Sequence, residues 1–173
     1  SVFVTNIGIE LGIRAPIEAI ERAAQIADNN SVEYFLVPET HPEFFGVDAL
    51  ETILKISKKI KHVKLGTGII NIFSRTQEEI LDYANQIYEK TGGKFVLGIG
   101  TSAPIIIEKL WKMEFKKPVS RLKDYSNFIR SGFHGQIYWA AIGEKTIKLA
   151  AENADGVIFF LKPRAQILDH IDL

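Results

Sequence analysis

Short apolar runs alternate along this chain with longer stretches in which apolar residues recur at helical spacing. The short runs are rich in β-branched and aromatic residues and are apolar on both faces, which is typical of buried parallel strands. They predict six β-strands, at residues 7–11, 34–37, 63–67, 95–99, 136–141 and 156–160. The longer stretches predict helices at residues 16–29, 48–60, 76–90, 121–130 and 144–153, with another beginning after Pro163.

Two helix starts and one helix end carry residues that satisfy free backbone groups. Asp48 with Glu51, and Thr76 with Glu79, have the spacing of a capping box, in which two side chains accept hydrogen bonds from the first helical N–H groups. Gly92, followed by a second glycine, predicts the end of the third helix, because glycine readily adopts the left-handed conformation needed there.

The alternation predicts an α/β fold in which helices cover one parallel sheet. About six strand–helix units fit into the 173 residues, whereas a complete (β/α)8 barrel usually needs ~250 residues. We therefore predict a TIM-type barrel in shortened or incomplete form, as a single domain over residues 1–173 that is truncated on its C-terminal side. An open doubly wound sheet fits the same pattern. Because open sheet edges must be covered, we expect a homodimer or higher homo-oligomer, or an unusual C-terminal closure.

Composition and charge narrow the classes of function. Lys plus Arg and Asp plus Glu number 21 each, so no overall field attracts nucleic acid or an anionic membrane. No apolar run approaches the ~20 residues that span a bilayer, and the N-terminus lacks the pattern of a secretory signal. The chain has no cysteine, which excludes disulfides and thiolate chemistry within it. We expect a cytoplasmic protein that acts on a small molecule, with no nucleic-acid or membrane partner.

Polar residues follow the second predicted strand, at the kind of position where parallel α/β folds place their sites. Glu39, His41 and Glu43 are candidates for proton transfer, because histidine beside a carboxylate suits acid–base chemistry near neutral pH. Two carboxylates and one histidine also form a weak metal signature. A solvated polar loop explains the same spacing equally well.

Glycine and small polar residues end the next three strands. Gly66 and Gly68 allow the backbone to approach a planar ligand closely, although the third glycine of a dinucleotide fingerprint is absent. Thr101 and Ser102 offer hydroxyl groups after the fourth strand. The helix start at Lys145 could hold a phosphate on its free N–H groups. Each of these segments is also compatible with an ordinary strand end.

Taken in order, these segments resemble the luciferase-like monooxygenase superfamily, and within it the deazaflavin enzymes of the methylenetetrahydromethanopterin reductase type. Each matching stretch is short, but their order and their placement at strand ends make the combination specific. They extend over most of the chain: Gly8-Ile9-Glu10-Leu11, Val32-Glu33-Tyr34, Lys64-Leu65-Gly66-Thr67-Gly68-Ile69-Ile70-Asn71, Leu97-Gly98-Ile99-Gly100-Thr101-Ser102, Ala140-Ala141-Ile142-Gly143 and Glu152-Asn153-Ala154-Asp155-Gly156-Val157.

The resemblance implies a TIM-barrel variant that binds FMN or a deazaflavin coenzyme and no metal. It places a bulge behind the cofactor ring at Gly68 and Ile69, a position often built with a non-prolyl cis peptide. The implied cofactor-binding residues are Gly68, Ile69, Asn71, Gly98, Gly100, Thr101, Ser102, Ile142, Gly143 and Lys145. The residues implied to face the ring, where hydride or oxygen chemistry occurs, are Glu10, Glu39, Thr40 and His41.

Two departures from the family pattern bear on function. Many deazaflavin relatives have Asp-His at the end of the second strand, where this chain has Glu39-Thr40 with His41 one place later, so a proton donor is displaced or absent. The last two strand–helix units are also missing. We therefore expect a flavin- or deazaflavin-dependent oxidoreductase acting by hydride transfer or monooxygenation on a small organic substrate. The alternatives are a non-catalytic flavin-binding or scaffolding protein of this family and a phosphate-ligand barrel enzyme without a redox role.

Overall fold

The structure, a computed structural model, describes residues 16–43, 46–141 and 144–159, together with the backbone of residues 8–10. Its strands are β1 (Gly8–Glu10), β2 (Tyr34–Val37), β3 (Lys64–Thr67), β4 (Ile70–Asn71), β5 (Phe95–Gly100), β6 (Gln136–Ala140) and β7 (Gly156–Ile158). Its helices are α1 (Ile17–Asn29), α2 (Ala49–Ile56), α3 (Gln77–Lys90), α4 (Pro104–Lys109), α5 (Pro118–Gly132) and α6 (Glu144–Asn153). A 3₁₀ turn, Ser57–Lys59, extends α2.

All strand pairs in the described sheet are parallel, and the order of the main strands is β1-β2-β3-β5-β6-β7. The short strand β4 also pairs with β5, further along the edge of β5 that β3 occupies. The main strands therefore follow one another in chain order. A doubly wound sheet reverses its strand order at a switch point, and this sheet does not. The prediction of an incomplete TIM-type barrel is confirmed, and the open doubly wound alternative is wrong.

The two faces of the sheet carry different sets of residues. The face under the helices carries large apolar residues with no more than 2% exposure, among them Phe35, Leu65, Leu97, Ile137 and Trp139. The opposite face follows from the strand register, which aligns Leu36 with Gly66, Gly98 with Tyr138 and Ala140 with Ile158. Toward the ends of β3, β5 and β6 this second face therefore carries mainly small residues: Gly66, Gly98, Gly100 and Ala140.

The sheet is curled so that this second face is concave. Tyr34 on β2 and Tyr138 on β6 are separated by two strands, yet their hydroxyl oxygens lie 3.4 Å apart. Burial, together with the hydrogen bond between the Tyr138 and Tyr34 hydroxyls, raises the pKa of Tyr138 to about 12. The Tyr138 phenol therefore stays protonated near neutral pH, and its contact with Tyr34 joins distant strands across the concave face.

Most predicted elements are found close to their expected positions. Thr76 and Glu79 form both halves of the capping box at the start of α3, and Gly92 has φ +61° at its end. The Asp48 side chain accepts from the Glu51 N–H at the start of α2. The sequence reading missed β4 and α4, and it began α5 three residues late. The ends of the first and last predicted strands, and the helix after Pro163, lie outside the described residues.

None of the helices in the described ranges is long and apolar enough to cross a membrane.

Candidate functional site

The carboxyl ends of β2, β3 and β5 meet around the segment that leaves β3. Gly68 and Ile69 are joined by a cis peptide bond, at the position where the family resemblance implies one. The backbone of β2 holds this segment on both sides. The Gly68 N–H donates to the Val37 carbonyl at 2.9 Å, and the Glu39 N–H donates to the Ile69 carbonyl at 3.4 Å.

Two glycines of β5 allow this segment to lie directly against the sheet. A Cβ atom on Gly98 would stand 2.0 Å from the Thr67 carbonyl oxygen. The Thr67 hydroxyl in turn donates to the Gly98 carbonyl at 2.7 Å and accepts from its N–H at 2.9 Å. A Cβ atom on Gly100 would stand 2.5 Å from Cδ1 of Ile69. Close packing of β3 and of the Ile69 side chain thus accounts for both glycines, and their predicted contact with a cofactor remains a prediction.

Asn71 lies close to the cis peptide, as expected, and organises the turn that follows. It is 8% exposed and pairs with Gly100 across β4 and β5. Its side-chain oxygen accepts from the Phe73 N–H at 2.9 Å, and its carbonyl accepts from the Ser74 hydroxyl at 2.8 Å. Because the amide oxygen is engaged in this turn, its NH₂ group is the part of the side chain that remains for a ligand.

The predicted phosphate-side residues lie at the ends of β5 and β6. Thr101 and Ser102 are half-buried after β5, and Ser102 has φ +60° in the left-handed region. The Thr101 hydroxyl reaches the Ser102 carbonyl at 3.4 Å. Lys145 is exposed in the first turn of α6. Hydroxyl and ammonium groups are the donors that a phosphorylated side chain requires. Ile142 and Gly143 lie outside the described residues.

Glu39 lies in a buried ion pair, and its predicted position facing the ring stays a prediction. Its side chain is 5% exposed and forms an ion pair with Arg75, in which Nη2 lies 2.6 Å from Oε1. Arg75 Nε donates to both carboxylate oxygens, at 3.0 Å and 3.2 Å, and the Ser74 hydroxyl donates to Oε2 at 3.2 Å. Both oxygens of Glu39 are therefore engaged by donors.

Arg75 joins two carboxylates at this edge of the sheet. Besides Glu39 it contacts Asp48, the N-cap of α2, with Nη2 2.8 Å from Oδ1. Burial opposes the charge of Arg75, but the hydrogen bonds and charges of Glu39 and Asp48 outweigh it and raise the pKa of the guanidinium. Arg75 therefore stays protonated near neutral pH.

Thr40 and His41 form the rim beyond this ion pair. The Thr40 hydroxyl accepts from the Val47 N–H at 2.7 Å, which closes the loop after β2. The His41 ring stands edge-on to Trp111 with centroids 4.5 Å apart, and its Nδ1 accepts from the Glu43 N–H at 3.1 Å. A cavity of about 230 Å³ opens between these groups and is lined in part by Thr40, Arg75 and Trp111.

A metal site in this loop was one of the alternatives left open by the sequence. Across the described ranges, no three His, Asp or Glu side chains are grouped as metal ligands. Glu39 is directed to Arg75, whereas His41 is directed to Trp111. Of Glu10, only the backbone in β1 is described, where it pairs with Leu36. Its predicted position facing the ring stays a prediction.

The sequence reading missed Ser74, Arg75, Asp48 and Trp111 as parts of this site. The sequence predicts a helix cap for Asp48 and no role for Ser74, Arg75 or Trp111. A signal was present, because an arginine in the connection after a glycine-rich strand end can reach a carboxylate at the end of the neighbouring parallel strand. That signal names no partner, because Glu39 and Arg75 are 36 residues apart.

Comparison with known proteins gives consistent matches over this fold. The sequence profile of the family described as luciferase-like monooxygenase matches residues 2–173. The 5,10-methylenetetrahydromethanopterin reductase of Archaeoglobus fulgidus is 26% identical over 175 residues, which cover 87% of this chain and 52% of that protein.

Two solved structures share the fold at low sequence identity. The coenzyme F420-dependent tetrahydromethanopterin reductase from Methanopyrus kandleri gives a TM-score of 0.80 at 18% identity, over 89% of this chain and 55% of that one. The oxygenating constituent of 3,6-diketocamphane monooxygenase from Pseudomonas putida, in complex with FMN, gives a TM-score of 0.76 at 11% identity, over 89% and 57%. The chain spans between 35% and 52% of the length of the curated relatives that it matches.

Proposed function

Because the chain belongs to the luciferase-like monooxygenase family, we propose that it binds FMN or a deazaflavin coenzyme at the carboxyl edge of its sheet and acts in an oxidoreductase reaction. The proposed reaction is hydride transfer or monooxygenation on a small organic substrate. Of the two solved structures that share the fold, one is a coenzyme F420-dependent reductase and the other is in complex with FMN. Both have a planar ring and a phosphorylated side chain, so one site can be built for either.

The observation that carries this proposal is the shape of the concave face near the ends of β3, β5 and β6. Gly66, Gly98, Gly100 and Ala140 add little side-chain volume of their own there, and the aliphatic side chains of Leu36, Ile158 and Ile69 pack against the three glycines. A surface of backbone and aliphatic side chains suits one face of a planar ring. The hydroxyls of Thr101 and Ser102 at its rim suit the ring's polar side chain.

The residues of this chain bind and orient the cofactor in this proposal, whereas bound FMN or deazaflavin supplies the redox chemistry. The backbone of Gly68 and Ile69 supports the ring, with Asn71 beside it. Ser102 and Lys145, with Ile142 and Gly143, hold the phosphate. Glu39 has both oxygens engaged by Arg75 and Ser74, so Thr40 and His41 are the better candidates for contact with substrate.

The site assignment is tested by Gly68→Val. We expect the Kd for the cofactor to rise by about tenfold or more, equivalent to about 1.4 kcal/mol, because a branched side chain would occupy the surface proposed for the ring. Fluorescence titration measures the Kd, and circular dichroism verifies that the variant is folded. Gly132→Ala is the control, because its Cβ would meet only the flexible end of Leu81 at 3.0 Å on the outer helix layer. Wild-type affinity in folded Gly68→Val would reject this assignment.

A non-catalytic flavin-binding or scaffolding protein is the second candidate. The observation that favours it is the environment of Glu39, whose two carboxylate oxygens are engaged by Arg75 and Ser74. A site of this kind can bind a ring and lack a residue that the reaction needs. Oxidation of the reduced cofactor by an organic acceptor, followed by its absorbance, supports the enzyme. Saturable binding without turnover by any acceptor tested supports the binding protein.

The two end strands of the described sheet also support a proposal about assembly. The described sheet ends at β1 and β7, and unpaired strand edges require a cover. We propose a cytoplasmic homodimer or higher homo-oligomer in which the edges are covered.

A further inference from the structure

We propose that Arg75 and Glu39 act as a positioning pair, which fixes residues 69–75 as the support of the cofactor ring. This inference rests on the proposed function for the identity of the ligand. It assigns Glu39, a predicted catalytic residue, to a structural role beneath the site. It also gives a role to Arg75, which the sequence reading did not select.

Glu39 contacts both ends of residues 69–75. The backbone N–H of Glu39 donates to the carbonyl of Ile69 at 3.4 Å, where the segment begins. The side chain of Glu39 accepts from Arg75 at 2.6 Å, where the segment ends. Both ends of residues 69–75 are therefore held by Glu39, and the segment cannot shift along the sheet without breaking one of these contacts.

The interior of the segment is fixed by further hydrogen bonds. The Ile72 N–H donates to the Gly100 carbonyl at 3.0 Å. The Ser74 hydroxyl lies between the Asn71 carbonyl at 2.8 Å and the Glu39 carboxylate at 3.2 Å, and its single proton serves one of them at a time. The Tyr125 hydroxyl of α5 donates to the Arg75 carbonyl at 3.0 Å. The segment is thus joined to β2, β5 and α5 together.

Burial makes this ion pair sensitive to the loss of either partner. The side chains of Glu39 and Arg75 are 5% and 14% exposed. Removing one partner leaves the other charge buried with fewer donors or acceptors, which is costly in a protein interior. Lysine retains the charge but lacks the planar fork that meets both carboxylate oxygens. We therefore expect Arg75→Lys to lie between wild type and Arg75→Gln in every measurement.

The experiment compares Arg75→Gln, Arg75→Lys and Glu39→Gln with Arg130→Gln in the full chain. Arg130 pairs with Asp155 at 2.8 Å on the exposed surface of α5, away from the site, and is the matched ion-pair control. The readouts are the Kd for FMN and for coenzyme F420, the absorbance spectrum of the bound cofactor at saturation, and hydrogen exchange at the amides of Glu39 and Gly68.

We expect Arg75→Gln and Glu39→Gln to raise the Kd by about tenfold and to shift the bound spectrum toward that of free cofactor. The amides of Glu39 and Gly68 should exchange faster, and Arg75→Lys should recover part of each effect. A role confined to global stability would lower the unfolding midpoint and leave the spectrum of the bound cofactor unchanged. Wild-type Kd and spectrum in folded Arg75→Gln would overturn the positioning role.

Failure of the proposed function gives a different result. If wild-type protein binds neither cofactor, the proposed function is wrong, and positioning of a cofactor is wrong with it. Hydrogen exchange then tests, without any ligand, whether the positioning pair fixes residues 69–75. Faster exchange at the Glu39 and Gly68 amides in Arg75→Gln than in Arg130→Gln supports this role, and equal exchange in the two variants overturns it.

Discussion

Asp28, near the end of α1, shows how much of the fold can depend on one buried carboxylate. It is 8% exposed and accepts from the backbone N–H groups of Lys61, His62 and Val63 at 3.0, 2.6 and 2.8 Å. These three groups lead into β3 and have no strand partner at that point. Burial raises the pKa of Asp28, but these hydrogen bonds and the charge of His62 outweigh it, and the pKa is lowered overall.

Asp28→Asn tests this connection. The amide keeps one acceptor oxygen and sets an NH₂ group against the Lys61 N–H, so we expect a loss of roughly 1.5–3 kcal/mol in the free energy of unfolding near neutral pH. A carboxyl whose folded pKa is lowered stabilises the fold above its unfolded pKa of about 3.9 and loses that contribution as pH falls through the folded value. Urea unfolding should show the difference between the two proteins constant near pH 6 and shrinking below about pH 4. A difference that does not change with pH would contradict the assignment.

The contrast between Glu39 and Arg75 explains what sequence reasoning can find at the scale of single residues. Glu39 stands out because a polar residue directly follows a buried strand. Arg75 does not stand out in the sequence, since it lies 36 positions from Glu39 and meets it only through its long side chain. The sequence therefore indicated a polar segment at the end of this strand, whereas the ion pair between Glu39 and Arg75 could not be predicted from it.

At the scale of elements, helix α3 is the clearest case of local sequence determining structure. Its first turn carries a complete capping box between Thr76 and Glu79, and Gly92 ends it in the left-handed conformation. Ile80, Ala84 and Ile87 are fully buried along one face. Start, end and buried stripe all agree, and each was predictable from residues within the helix.

Thr76→Ala should lower the free energy of unfolding by about 1 kcal/mol, because the Glu79 N–H loses its acceptor at the helix start. Gln77→Ala, one position later in the same turn, is the comparison and should change stability by less than about 0.5 kcal/mol. Chemical denaturation of both variants provides the measurement. Equal losses in the two proteins would mean that the cap contributes nothing beyond helix propensity.

The elements that were missed share a physical reason. Strand β4 has two residues and α4 has six, which is too short for a helical or alternating pattern to be recognised. Their existence depends on tertiary contacts instead. β4 forms because Ile70 and Asn71 align with Ile99 and Gly100 of β5. This pairing cannot be predicted from the residues of the segment itself.

At the scale of the whole molecule, the local pattern predicted an α/β fold but did not distinguish a barrel from a doubly wound sheet. Alternating strands and helices are common to barrels and doubly wound sheets, because both bury parallel strands under helices. The order in which strands pair distinguishes them, and pairing order is a property of the complete chain. The resemblance to the luciferase-like family selected the barrel, and the sheet order confirms it.

The central claim is that this half-length barrel binds a flavin or deazaflavin on its concave face. Fluorescence titration of the purified chain with FMN and, separately, with coenzyme F420 tests this claim most directly. Light scattering gives the oligomeric state of the protein in the same solution. We predict saturable binding of one of the two cofactors, which would leave catalysis as the remaining question. Binding of neither by folded protein would contradict the claim, since the fold would then be present without the site.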